Sequence, residues 1–137
     1  MREPLYKVEK ITDLKDMINK SVAKFSDRPA YVFKTEKKGE FKEITYKQLK
    51  NDIDSLGTAL INLGLEGKRV AVIGENRYEW GVTYLAVVNG TGTIVPLDKA
   101  LPENEIESLI IRSGVEAIVY SNKYNEIMND LKEKKQI

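Results

Sequence analysis

An α/β fold with a mainly parallel sheet is what this 137-residue chain predicts. Three observations carry the prediction. Three short apolar runs, residues 69–73, 93–97 and 116–120, have the length and β-branched content of buried strands. Helix-periodic segments separate them. The order strand, helix, strand, helix, strand belongs to a parallel sheet with right-handed crossovers. The full expectation is an N-terminal helix and a β-hairpin followed by a βαβαβα unit. Residues 1–137 are expected to form one domain, with a helical segment over 1–28, the hairpin over 29–45 and the α/β unit over 46–137.

The elements follow in order. Ile11, Leu14, Ile18, Val22 and Phe25 lie at helical spacing, and Thr12 is the expected cap with Asp13 in the positive first turn. Pro29 disfavours helix at Arg28 and ends the segment. Two aromatic, β-branched runs, residues 30–33 and 41–45, flank a polar turn with Gly39 and predict the hairpin. Thr45 and Gln48 match a capping box. The stripe Tyr46, Leu49, Ile53, Leu56, Leu60 and Leu63 then predicts a core-facing helix that Gly64 and Gly67 end. Arg69 to Ile73 is nearly all apolar, so both faces of this strand are expected to be covered. After it come a helix over 77–89 with Trp80, Tyr84, Leu85 and Val88 inward, and a strand over 93–97. A helix over 102–113 carries Ile106, Leu109 and Ile110 inward and stops at Gly114. The strand over 116–120 precedes a last helix with Tyr124, Ile127, Met128 and Leu131. Residues 132–137 carry no stop signal, so the chain reads as continuing past Ile137.

Composition bounds the function. The net charge is +1, from 22 basic and 21 acidic residues. That gives no global field for nucleic acid or an anionic membrane. With no cysteine and no histidine, disulfides, thiolate nucleophiles and Ser/His/Asp or Cys/His arrangements are excluded. The start, Met1 to Pro4, lacks an apolar signal-peptide core. No apolar run approaches the ~20 residues a membrane helix needs. A cytoplasmic protein without a transmembrane segment is the expectation.

Candidate sites are few, and each has a plainer structural reading. Lys37 and Lys38 at the hairpin tip could meet a phosphate, but a solvated loop explains them. Gly74, between a strand and a helix, lacks the other glycines of G-x-G-x-x-G and of the P-loop. Asn76 is the expected N-cap there, Glu79 its capping-box acid, Glu75 lies just outside the positive helix end, and Trp80 is the core anchor. The cluster Asn89-Gly90-Thr91-Gly92-Thr93 precedes a strand, whereas a phosphate cradle opens a helix. Gly90 is therefore expected as a C-cap and Gly92 as part of the turn. Asp98 and Lys99, after a strand end, are the best generic site candidates against a solvated loop. Glu103, Glu105 and Glu107 begin a helix, where acids answer the dipole. Tyr31, Tyr46 and Tyr84 are expected in the core. No catalytic, cofactor-binding or metal-binding residue is assigned, and the substrate-binding residues are unknown.

Several short segments also resemble, in order, the front of AMP-forming acyl-CoA synthetases. Residues 44–49, I-T-Y-K-Q-L, are similar to a strand followed by a T-Y-x-x-L helix. Residues 63–72, L-G-L-E-G-K-R-V-A-V, resemble an L-G-x-G-D-R-V-A element, with Lys68 where aspartate is usual. Residues 75–80, E-N-R-Y-E-W, resemble E-N-R-P-E-W, with Tyr78 replacing proline. Residues 92–97, G-T-I-V-P-L, resemble G-A-x-x-V-P-L, with Thr93 replacing alanine. Residues 101–106 and 117–120 continue in register. The set runs from about Ile11 onward and is most like long-chain fatty acid–CoA ligases, of which this chain would be an N-terminal fragment.

The resemblance implies two-step chemistry. A fatty acid carboxylate attacks the α-phosphate of ATP to give acyl-AMP, and the CoA thiol then displaces AMP. It implies ATP, Mg²⁺ and CoA for the parent enzyme, and no ligand held tightly by this chain. The family's Ser/Thr/Gly-rich loop ending in lysine, its adenine segment, its ribose-binding aspartate and its C-terminal lysine have no counterpart here. The matched region would be a front subdomain supporting the acyl side or a homodimer contact, with the remainder of the polypeptide as its main partner. Two other readings stand beside it: a stand-alone binding or regulatory module that pairs with a ligase, and an adenylate-forming ligase for another carboxylic acid. An unrelated Rossmann-like nucleotide binder is disfavoured by the missing fingerprint.

Overall fold

A computed structural model describes residues 6, 8–36 and 38–133. Helix α1 (Leu14–Phe25) is followed by strands β1 (Pro29–Lys34) and β2 (Phe41–Thr45) and helix α2 (Tyr46–Asn62). Then come β3 (Arg69–Ile73), α3 (Tyr78–Ala86), β4 (Thr93–Pro96), α4 (Glu103–Ser113), β5 (Ala117–Tyr120) and α5 (Asn125–Glu133). The predicted helix, hairpin and βαβαβα order is present. The N-terminal tetrapeptide, Lys37 and residues 134–137, on which expectations were placed, lie outside the described residues.

Strands β1 and β2 pair antiparallel. The other three form a parallel sheet in the order β4-β3-β5. β3 lies in the middle, and Val70 to Ile73 are all buried, as the apolar run requires. Its side chains alternate between two layers. Ala71 and Ile73 face a cluster with Ile106 and Ile110 of α4 and Met128 and Leu131 of α5. Val70 faces the other way, to Leu60 of α2 and Val87. A third cluster joins Ile18 of α1, Ile44 of β2, Leu49 and Ile53 of α2 and Val82 and Ala86 of α3.

The helix ends show why the sequence breaks where it does. Thr45 Oγ1 accepts the Gln48 amide at 3.2 Å and caps α2. At the other end the Leu65 amide donates to the Leu60 carbonyl at 3.1 Å and the Gly64 amide to Ile61 at 2.8 Å. This is the Schellman pair, and Gly64 takes the positive φ of 82° that it needs.

Three capping and facing expectations are corrected. The cap of α1 is Asp13, whose side chain accepts the Asp16 amide at 2.7 Å, so the helix starts after Thr12 and Ile11 stays exposed. Leu63 is a C-cap residue, 75% exposed, because the stripe drifts out of register with the core as α2 ends. Leu109 is exposed, leaving Ile106 and Ile110 as the inward pair of α4. The helix after β3 keeps helical backbone through Asn89, as expected, with its end widened into a π-helical turn from Val87 to Thr91. There the Gly92 amide reaches back to the Val87 carbonyl at 3.0 Å. The Thr91 hydroxyl donates to the Ala86 carbonyl at 3.1 Å, satisfying a group the widened turn would strand. Gly90, at φ 138°, is where the helical path breaks, so the expected glycine stands at the helix end.

Gly92 is fixed by close approach. Its backbone is extended, and a Cβ there would lie 2.1 Å from the Lys68 carbonyl oxygen. Backbone cannot yield at that distance without unpairing β3 from β4. Gly92→Ala is expected to destabilise the chain by about 1–3 kcal/mol, the usual cost of forced overpacking, read as a lower urea midpoint. An unchanged midpoint would show that the β3–β4 junction can open without cost.

Candidate functional site

A crevice lies where open α/β sheets hold ligands, outside the carboxyl ends of the parallel strands. It encloses about 330 Å³ between the ends of β3 and β5. These strands are spatial neighbours but are not consecutive in the chain. The chain leaves β3 toward β4 on one side, and β5 arrives on the other. The crevice is therefore the point where strand order reverses.

Two loops build it. Residues 74–77 leave β3, and Ser121 to Lys123 leave β5. Arg77 is the first residue before α3, with extended backbone and no side-chain cap bond. Asn76 is thus not the cap. Trp80 also departs from expectation. It is half-buried, lines the crevice and stacks on Tyr84 with centroids 5.6 Å apart. The buried face of α3 is Val82, Thr83 and Ala86 instead. Glu79 does not close a capping box and lies 3.9 Å from Arg77 Nε, an exposed pair of little energetic value.

The start of α3 is pinned from below. Tyr78 donates to Asp52 of α2 at 2.6 Å and meets Tyr31 of β1 edge-on at 5.1 Å. Burial, then the bond to Asp52, pushes the Tyr78 hydroxyl well above the usual tyrosine range. It stays a donor at all physiological pH values. Tyr31 is half-buried beside it.

Charge in the crevice is mixed. Glu75 faces Ser121, with Lys123 and Arg77 near enough to attract it. Its carboxyl is held below the ordinary glutamate range chiefly by the Ser121 hydroxyl, then by its own backbone amide, with smaller contributions from Lys123 and Arg77. Ser121 Oγ is buried yet lacks a hydrogen bond of regular geometry. Its effect on Glu75 is that of a nearby dipole rather than a formed bond.

The predicted candidates fall elsewhere. Asp98 Oδ1 accepts the Ala100 amide at 2.9 Å, so Asp98 closes its own loop. The Lys99 carbonyl accepts the Tyr124 hydroxyl at 3.2 Å. Neither residue lines the crevice. The glycine cluster before β4 is spent on structure: the Gly92 and Thr93 amides donate to Val87 and Lys68. Lys38 is exposed on the hairpin turn, away from the crevice. Ser121 and Lys123 escaped sequence reasoning, because only the strand order brings the end of β5 beside the end of β3. Among the described residues no three His, Cys, Asp or Glu side chains converge to hold a metal, and no helix is long and apolar enough to cross a membrane.

Comparison with known proteins gives this geometry a context. A sequence model of the AMP-binding enzyme family matches residues 18–137. Fatty acyl-CoA synthetase A of Dictyostelium discoideum is 33% identical over 88 residues, covering 64% of this chain and 13% of that protein. The mitochondrial medium-chain acyl-CoA ligase of Mus musculus is 25% identical over 114 residues, 82% of this chain and 18% of its own length. The chain thus spans less than a fifth of these relatives. Among solved structures, an anthranilate CoA ligase in complex with anthranoyl-AMP superposes with a TM-score of 0.78 at 18% identity, over 95% of this chain and 23% of that one. A Mycobacterium tuberculosis fatty acyl CoA synthetase gives 0.76 at 19% identity, over 88% and 23%.

Two outcomes are expected. Because folding lowers the Glu75 pKa, its interaction stabilises the fold above the ordinary glutamate range and is lost as the pH falls through the lowered value. Carboxyl NMR should show Glu75 titrating below the other glutamates, and Ser121→Ala should move it back up; an unmoved titration would remove Ser121 as the cause. Tyr78→Phe should cost about 1 kcal/mol, the net worth of one hydrogen bond, measured by urea unfolding.

Proposed function

The chain belongs to the AMP-binding enzyme family, and from that membership we propose that it is the front part of an ATP-dependent, AMP-forming acyl-CoA ligase. The observation that carries the proposal is the family match over residues 18–137 together with the small share of each relative that it spans. The parent polypeptide activates a fatty acid to an acyl adenylate and passes the acyl group to CoA, using ATP and Mg²⁺. The E-N-R-Y-E-W segment favours long-chain fatty acids. The medium-chain ligase and the anthranilate ligase among the similar proteins make chain length and acid class the part most in need of test.

The residues here supply scaffold, not chemistry. Adenylate formation needs donors and cations placed on the developing phosphoryl charge, and the Gly92 and Thr93 amides of the glycine cluster before β4 are already engaged. The crevice between β3 and β5 is the part of this chain best placed to touch a substrate. Its Trp80 offers an apolar wall and Arg77 and Lys123 offer cations. A stand-alone regulatory module remains the second reading, favoured only by the open sheet edges.

Fatty acid–dependent ATP–pyrophosphate exchange tests the proposal. The parent polypeptide should support exchange with long-chain fatty acids over medium-chain acids and anthranilate. Residues 1–137 alone should give none. Acyl-CoA formation by the 137-residue chain would sink the scaffold assignment, and a preference for anthranilate would sink the long-chain one.

A further inference from the structure

Both edges of the three-stranded sheet are open among the described residues, and they are not equivalent. In a parallel ladder, alternate residues face the same neighbour. On β4 the Thr93 amide donates to Lys68 and the Leu97 amide to Val72, each at 2.9 Å. Residues 93, 95 and 97 therefore face β3. The outward pair is Ile94 and Pro96, and proline has no N–H. On β5 the Ser121 amide donates to the Ile73 carbonyl at 3.2 Å and Val70 pairs with Ala117, which turns 117, 119 and 121 toward β3. Ile118 and Tyr120 then present both N–H and C=O outward, with no proline or charge between Ala117 and Tyr120. A groove of about 280 Å³ runs beside this edge, lined by Ala117, Ile118, Tyr120, Met128 and Lys132.

The helices say which way the chain travels. Parallel crossovers are right-handed in about 98% of cases, so the face a connecting helix occupies fixes the direction of the next strand. α3 packs with α2 on the Val70 face and leads to β4. α4 packs on the Ala71 and Ile73 face and leads back across β3 to β5. α5 shares the face of α4, through Met128 and Leu131. A parallel strand entered from α5 must therefore land outside β5.

We propose that the outer edge of β5 is occupied by a further β-strand of the parent polypeptide, laid parallel to β5 and bonded to Ile118 and Tyr120. The assignment rests on the reading of this chain as part of a larger ligase. Pro96 closes the opposite edge by the device that natural sheets use to refuse partners.

Amide hydrogen exchange on the intact gene product tests it, after its mass has been measured. A mass near 15.6 kDa overturns both this assignment and the ligase reading. For a larger product, Ile118 and Tyr120 should exchange as slowly as Val119, whose amide faces β3, within about tenfold. Exchange at Ile118 and Tyr120 about 100-fold or more faster than at Val119 overturns the strand while leaving the ligase reading intact. Protection that disappears on dilution would assign the edge to a second copy and overturn the assignment as well.

Discussion

The burial of β3 on both faces and both edges is the constraint on which the rest depends. Val70 to Ile73 are at most 2% exposed. A strand without a wet face cannot alternate polar and apolar residues, so it must recruit cover on each side. α2 and the turn after α3 cover Val70; α4 and α5 cover Ala71 and Ile73. The backbone groups of β3 find partners only because β4 and β5 flank it. The crevice follows from the same arrangement, since it is the gap left where those neighbours part.

The turn between α3 and β4 shows how tightly the second edge is set. The Gly67 amide donates to Thr91 at 2.7 Å and the Thr93 amide to Lys68 at 2.9 Å, which clasps the entries of β3 and β4. Thr91 is buried, with its hydroxyl on the Ala86 carbonyl. Gly57 brings α2 up to the same hydroxyl, within ordinary contact of where a Cβ would be. What resembles a phosphate cradle in composition is thus a packing joint.

The fold was legible in the sequence because strand length and helical period are local properties. The all-apolar run of β3, the Thr45 cap and the Gly64 and Gly114 stops needed no partner to be recognised. The misread residues have another character. Trp80 is large and aromatic, which favours a core assignment, but its direction depends on how the extended Arg77 opens α3. Asp98 and Lys99 follow a strand end as a ligand loop would, yet lie on the wrong side of β3. Ser121 and Lys123 carry no motif at all; they matter only once β5 is known to sit beside β3. Segments 75–80 and 92–97 signalled the family through several short matches in order, which no single element could have done.

The place of β3 in the sheet also sets a timetable. It is the first strand of its sheet to be made, and its last partner, β5, is the last. While the chain leaves the ribosome, Val70 to Ile73 must wait with one side unpaired and one layer uncovered until α4 and β5 have followed. Folding of this unit is therefore governed by its most distant pairing, and its slow step waits until β5 has been made. The interval is when the apolar strand is open to a wrong partner, and a nascent-chain chaperone would find its target there.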